Sequence, residues 1–214
     1  MKEEVVFHGV VLSSAASREY DKRLTVLTKE AGRITVWAPG AKKMNSPLLA
    51  ATRSFVFAEF TLTPGRSGYN LRSVRVSRMF EEIAADIEYA CYGSYLLELA
   101  DYMSQENLEA EDMINLLYYS LHAILNARLE NALVRRIFEL RMMCINGEYT
   151  EYPPLMASES CRLAWRHVLE SPLEKLYTFT LKEKVMQEFE ENVDYLVRGI
   201  LPYASRSLQI LNAL

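Results

Sequence analysis

Cysteine is scarce. Cys91, Cys144 and Cys161 are the only three in 214 residues. An odd number at wide spacing excludes a disulfide framework and fits no zinc motif. It predicts buried free thiols in a reducing compartment. Histidine is as sparse: His8, His122 and His167 are scattered, and His122 lies in an apolar helical stretch that reads as packed. No run approaches the roughly 18 apolar residues that a membrane helix needs. Met1-Lys2-Glu3-Glu4-Val5 does not begin a secretory leader, so a cytoplasmic chain is expected. Catalytic signatures are missing too. There is no phosphate-binding GxxxxGK[ST], no HExxH and no nucleophile motif. Glu81-Glu82 and Glu190-Glu191 are adjacent on predicted helices and face apart, which suits neither acid–base nor two-metal work. The expectation is a protein that is not an enzyme and holds no cofactor and no metal. There is no internal repeat and no low-complexity segment.

What is present is an ordinary globular composition, 50% hydrophobic and 24% charged, long enough for one large domain or two small ones. The net charge of −4 conceals an asymmetry. Residues 1–80 carry 13 Lys and Arg against 6 Asp and Glu, a balance of +7, whereas residues 81–214 carry 11 against 22, a balance of −11. The two parts therefore suit different partners.

Residues 1–78 read as strands. Val5–Leu12 is an apolar, β-branched run, expected to be buried on both faces. Ser13–Tyr20 is a polar connection. Asp21–Thr28 and Arg33–Ala38 alternate and form a hairpin about Lys29-Glu30-Ala31-Gly32, where Gly32 supplies a positive φ. Arg53–Leu62 is a long strand, Pro64–Gly68 a loop, and Tyr69–Val76 a clean alternation. Five short strands in under 80 residues fit a small closed barrel, an oligonucleotide-binding (OB) barrel or an SH3-like one. From Met79 the period changes to three and four. Phe80–Leu99 predicts one long or broken helix with Gly93 as its weak point, followed by further helices to Asn146-Gly147. Pro153-Pro154 marks a crossing loop. Helices follow near Ser158–Glu170 and Lys182–Leu201, with Ser171-Pro172 as a cap. Pro202 kinks or ends the penultimate helix, and Ser205–Leu214 forms the last. The predicted class is α+β, with a barrel domain at 1–78 packed directly on a helical domain at 79–214.

Between the third and fourth strands lies Ala38-Pro39-Gly40-Ala41-Lys42-Lys43-Met44-Asn45-Ser46-Pro47-Leu48. Pro39 and Gly40 stop the strand, and the loop lifts two adjacent cations off the sheet. Gly9–Leu12, Arg18–Leu24, Leu27-Thr28, Gly32 and this loop follow one another in an order and spacing similar to those of the RecO family, bacterial recombination mediators and DNA-annealing proteins. Phe138–Met143 with Gly147 resembles the family's central helix and the loop after it, and Arg206-Ser207-Leu208 its C-terminal helix. The resemblance implies an OB barrel that binds single- and double-stranded DNA, on a helical domain. It implies annealing of strands coated with single-stranded-DNA-binding protein (SSB), loading of RecA with RecR, contact with the acidic SSB tail, and residence at the nucleoid. Many members carry four cysteines in two CxxC pairs after the position of Gly147. Here Tyr152-Pro153-Pro154-Leu155 runs on with only Cys161, and one thiolate cannot fill a tetrahedral site. The resemblance is therefore either to a member that lost the zinc module or to a shortened relative with a modified role.

The expected DNA contacts are Arg23, Arg33, Lys42, Lys43, Arg53, Arg72 and Arg75, with Lys42 and Lys43 foremost because they coincide with the family loop. Arg72 and Arg75 have opposite pleat parity and cannot share one face of a regular strand. Tyr20 is the expected stacking residue. Trp37 and Tyr69 are further candidates, and for Trp37 core packing is favoured. In the acidic part, Arg128, Arg135, Arg136 and Arg141 form a basic knot suited to an acidic tail. Ion pairing with Glu130 or Glu139 is the competing expectation. Two other functions stay open: a protein-interaction module whose barrel does not bind DNA, and an RNA-binding OB protein.

Overall fold

The computed structural model describes residues 3–200 and 205–213. Five strands open the chain: β1 (Val5–Ala16), β2 (Lys22–Thr28), β3 (Gly32–Ala38), β4 (Val56–Pro64) and β5 (Tyr69–Met79). They close into a barrel in the order β1-β2-β3-β5-β4, antiparallel throughout except for the parallel β3–β5 pair. This is an OB-type barrel. Its interior is filled by alternate residues, among them Leu24, Val26, Ile34, Val36, Phe60, Leu62 and Leu71. A short α1 (Leu48–Ala51) follows β3, with Leu48 packed on that interior.

The helices are α2 (Glu81–Ala85), α3 (Ile87–Met103), α4 (Glu111–Ile124), α5 (Asn131–Ile145), α6 (Glu159–Glu170), α7 (Leu173–Leu176), α8 (Glu183–Ile200) and α9 (Arg206–Leu211). Among the described residues no helix is long and apolar enough to cross a membrane.

By internal contacts the chain divides into two compact units, one of residues 1–81 with 97–114, the other of 82–96 with 115–214. The change of sequence period near residue 79 lies close to the first of these cuts, and residues 97–114 join the first unit from further along the chain. Within the first unit, residues 101–111 are tied to the β2–β3 hairpin. The Arg33 N–H donates to the Gln105 carbonyl, the Asn107 N–H to Ala31 and the Ala110 N–H to Lys29. Within the second unit, α5, α6 and α8 pack on one another. The α8 face that carries Met186, Phe189, Val193 and Val197 is buried, as its spacing of three and four requires. Fully buried Trp165 meets Phe189 edge-on with ring centroids 5.9 Å apart.

Several sequence expectations need correction. β1 runs on to Ala16, because a register shift between Val11 and Ser13 lets the strand continue through the polar stretch. Only Gly9–Leu12 of it is buried on both faces. Residues Arg53–Phe55 form a turn, and β4 starts at Val56. The helix after β5 breaks at Asp86, where the carboxylate accepts the Tyr89 N–H at 3.0 Å and caps α3. Gly93 sits inside α3 without interrupting it. Pro172 is itself the N-cap of α7, while Ser171 closes α6. His122 is exposed, edge-on to Tyr118 at 4.7 Å. Pro202 lies outside the described residues.

Candidate nucleic-acid interface

Three connections converge at one end of the β2–β3 hairpin. The loop after β3 is pinned from beneath by Ala41, which is fully buried. Gly40 turns it at φ +68°, and the Gly40 N–H donates to the Asp21 carboxylate at 2.9 Å. The Lys42 N–H donates to the Tyr20 carbonyl at 2.9 Å, and its ammonium to the Arg18 carbonyl at 3.4 Å. The Lys42–Lys43 loop is thereby fastened to the β1–β2 connection. Arg23 and Trp37 are cross-strand partners whose strand neighbours Leu24 and Val36 point inward, so both side chains point outward. The Trp37 indole N–H donates to the Ser67 carbonyl at 3.1 Å, which brings in the β4–β5 loop. In OB barrels this strand face, the β1–β2 connection and the β4–β5 loop are where oligonucleotides bind.

Tyr20, Arg23, Lys42 and Lys43 thus stand together, all exposed, Tyr20 at 49%. Arg18 and Arg66 lie on the same two rim connections. Arg72 is exposed on β5 two residues past Asn70, the partner of Trp37 in the parallel pair, and so flanks this end of β3. Arg53 is exposed beyond α1. It neighbours Lys22, whose ammonium donates to the Leu49 carbonyl and the Thr52 hydroxyl. Burial, and then the Arg53 charge, holds Lys22 below the ordinary lysine value.

Two expected contacts stand apart. Arg33 donates to the Asp101 carbonyl at 2.8 Å and lies 3.4 Å from its carboxylate. Arg75, paired with Glu59 at 2.6 Å, belongs to the outer face of β1, β4 and β5. There His8 bridges Glu30 at 2.7 Å and Glu59 at 3.4 Å. The Arg75 hydrogen bond outweighs desolvation and holds the Glu59 carboxyl below its usual range. Trp37 is corrected from core to outer surface. Tyr69 is partly buried against the core, edge-on to Phe7 at 5.5 Å, so its ring does not face solvent as a platform. Sequence reasoning passed over Arg18 and Arg66, whose only signal was position in loops. It also passed over the outward side of Trp37, although counting alternately from Ile34 and Val36 would have revealed it.

Two family profiles match the chain: "Recombination protein O N terminal" over residues 1–80 and "Recombination protein O C terminal" over residues 84–162. The chain belongs to the RecO family. It is 32% identical to the DNA repair protein RecO of Alkaliphilus metalliredigens over 70% of this chain and 59% of that one. Against its counterpart in Caldicellulosiruptor saccharolyticus it is 30% identical, over 73% and 64%. These matches thus span about three-fifths of those relatives' length. With the Clostridium perfringens protein of the same name the identity is 25% over 95% of both chains.

In this RecO-family chain the helical unit uses most of its basic knot internally. Arg135 pairs with Glu139 at 2.9 Å and lies over the Tyr95 ring at 5.0 Å. Arg136 meets Glu139 at 2.8 Å and Asp194 at 2.5 Å. Arg141 donates to the Val168 and Leu169 carbonyls at the end of α6. Of the four, only Arg128 is exposed. Cys91 and Cys161 are buried and Cys144 is partly buried. Among the described residues no three His, Cys, Asp or Glu side chains are grouped so as to hold a metal ion.

Proposed function

We propose that this chain is a DNA-binding mediator of recombinational repair. In this reading it grips the sugar-phosphate backbone of single- and double-stranded DNA with Lys42, Lys43 and Arg23. Arg53 and Arg72 extend the track, Tyr20 offers a stacking surface, and Arg33 and Arg75 contribute from their paired positions. The observation that carries the proposal is the cluster of exposed cations at the rim of an OB barrel, where Arg23 and Lys43 have no side-chain partner among the described residues. A mobile cation without a carboxylate partner is free to displace counterions from phosphate. The work proposed is annealing of complementary strands and, with RecR, loading of RecA onto SSB-coated DNA at the nucleoid. None of these steps requires a bond to be made or broken by the protein. For the helical unit we propose the acidic SSB tail and RecR as partners. Arg128 is then the exposed cation for the tail, and Arg135, Arg136 and Arg141 act through the framework they hold.

The test is a salt series of gel shifts with single-stranded and duplex DNA. Lys42→Ala with Lys43→Ala should weaken binding and flatten the log–log salt slope by roughly 0.7–0.9 per lost phosphate contact. An unchanged slope removes the loop from the site. No salt-dependent shift at all favours the interaction module, and a preference for RNA favours the RNA-binding reading. For the tail, a peptide titration should be weakened by Arg128→Ala; equal affinities would exclude that residue.

A further inference from the structure

Trp37 is a second feature of the rim, and its chemistry is not that of a backbone clamp. The chain has two tryptophans. Trp165 is fully buried against Phe189, with its N–H on the Thr150 carbonyl at 3.0 Å. Trp37 points away from the barrel interior and is only partly buried. Among the described residues no aromatic ring and no cation stacks on it. Its orientation is nevertheless held, because the indole N–H is bonded to Ser67. The loop that carries Ser67 is held against β3 at Gly68, where a Cβ would come within 2.4 Å of the Thr35 carbonyl. A large apolar ring left partly wet, with its polar edge satisfied and its faces free of aromatic partners, is built to receive another flat group. Arg23, directly across the hairpin, has no ion pair among the described residues and supplies a cation beside the ring.

We propose that Trp37 is a stacking platform for one unpaired base, with Arg23 on the adjoining phosphate, and that this pair makes the interface prefer single strands over duplex. The inference rests on the nucleic-acid reading above and adds a determinant of strand type to it. Bases in a duplex already cover one another's faces, whereas an unpaired base has a face to offer, and every base has one. The lysine loop, by contrast, contacts phosphates that both forms of DNA present.

The experiment uses the full chain and a poly-dT oligonucleotide. Trp165 is shielded, so quenching of tryptophan emission on titration reports Trp37. It is expected to saturate with the binding isotherm and to vanish in Trp37→Leu. That variant keeps apolar cover but has no π-face. It should raise the Kd for poly-dT roughly 5- to 100-fold, the range expected for one stacked base, while duplex affinity and salt slope stay at the wild-type value. Trp37→Tyr should recover most of the single-strand affinity, which a mere loss of folding would not allow. Absence of quenching, an unchanged Kd for Trp37→Leu, or equal losses on single strands and duplex without rescue by Tyr would each overturn the proposal. If the Lys42, Lys43 variant still flattens the salt slope in those cases, the stacking inference alone fails. If wild type binds no DNA, both readings fail.

Discussion

Glu139 is a carboxylate with no exposure to solvent, and its partners decide whether the helical unit can tolerate it. It accepts from the Tyr95 hydroxyl at 2.5 Å, from Arg135 at 2.9 Å and from Arg136 at 2.8 Å. Burial, and then the neighbouring Glu139, pushes the Tyr95 hydroxyl well above its usual value, so it stays a donor. Burial works against the Arg136 charge, but Glu139 and Asp194 more than reverse it. Removing one member of a buried pair strands the other, at about 3–5 kcal/mol. Glu139→Gln is expected to lose stability on that scale in urea unfolding. A loss below about 1 kcal/mol would mean that Asp194 and Glu190 hold Arg136 without it. Cys161 offers a second residue-scale prediction. Burial, and then Glu188, pushes its thiol up to about 11. At neutral pH it is a poor nucleophile, so native-state alkylation should modify the partly exposed Cys144 first. An acid whose folded pKa is raised keeps its stabilising effect below the ordinary thiol value and loses it as pH rises toward the folded one. Between about pH 9 and 11 wild type should therefore lose stability relative to Cys161→Ala, measured as a narrowing difference in denaturation midpoint.

At the scale of elements, the turns and bulges decide which side chains meet. Gly32 has φ +64°, and a Cβ there would lie 2.2 Å from the Gln105 carbonyl and 2.4 Å from that of Leu108. Gly40 has φ +68°, but a Cβ there would meet only the Lys43 side chain at 3.7 Å. Gly40→Ala should thus cost only the left-handed strain, about 1–2 kcal/mol. Gly32→Ala should cost clearly more, since backbone must move to admit the methyl. Equal losses in chemical denaturation would contradict this contrast. Strand β5 carries register shifts opposite Phe57/Ala58 and Thr61/Leu62. The second makes Arg72 the extra residue between Leu71, facing Leu62, and Ser73, facing Thr61. A bulge resets the pleat, so the parity that should have separated Arg72 from Arg75 does not, and both are exposed.

For the whole molecule, the first unit is built from two separated pieces of chain. Residues 97–114 satisfy backbone groups of the β2–β3 hairpin and pair Asp101 with Arg33 at 3.4 Å and Glu111 with Lys29 at 2.6 Å. A fragment ending at residue 81 lacks those partners. It is expected to unfold at lower urea than the same strands in the intact chain, measured by the fluorescence of Trp37, with Trp165→Phe in the intact chain so that both report the same ring. Equal midpoints would establish that residues 1–81 fold without them. The same pairing shrinks the effective charge of the barrel: Lys29, Arg33 and Arg75 are answered by carboxylates. The +7 counted along residues 1–80 therefore overstates the charge the barrel has available for phosphate, since Glu111 and Asp101 from outside that stretch answer Lys29 and Arg33.

The alternation of Arg23–Thr28 and Arg33–Ala38, the glycine and proline punctuation and the change of period at Met79 were enough to reach a five-stranded barrel followed by helices. Each of these is a local preference, expressed within a few residues of its cause. The lysine loop was legible for the same reason. What needed the tertiary structure was every question of partnership. Arg33 and Arg75 read in sequence like Arg23, yet the carboxylates that hold Arg33 and Arg75 come from residues 101 and 59. Arg135 and Arg136 read in sequence either as part of a docking cluster or as ion-pair partners of Glu130 or Glu139, and it is the fold that pairs both with the buried Glu139. Chain closure into a barrel brings β5 beside β3 and so sets Ser67 against Trp37. No periodicity along the chain contains that contact, because it depends on which strands become neighbours in space.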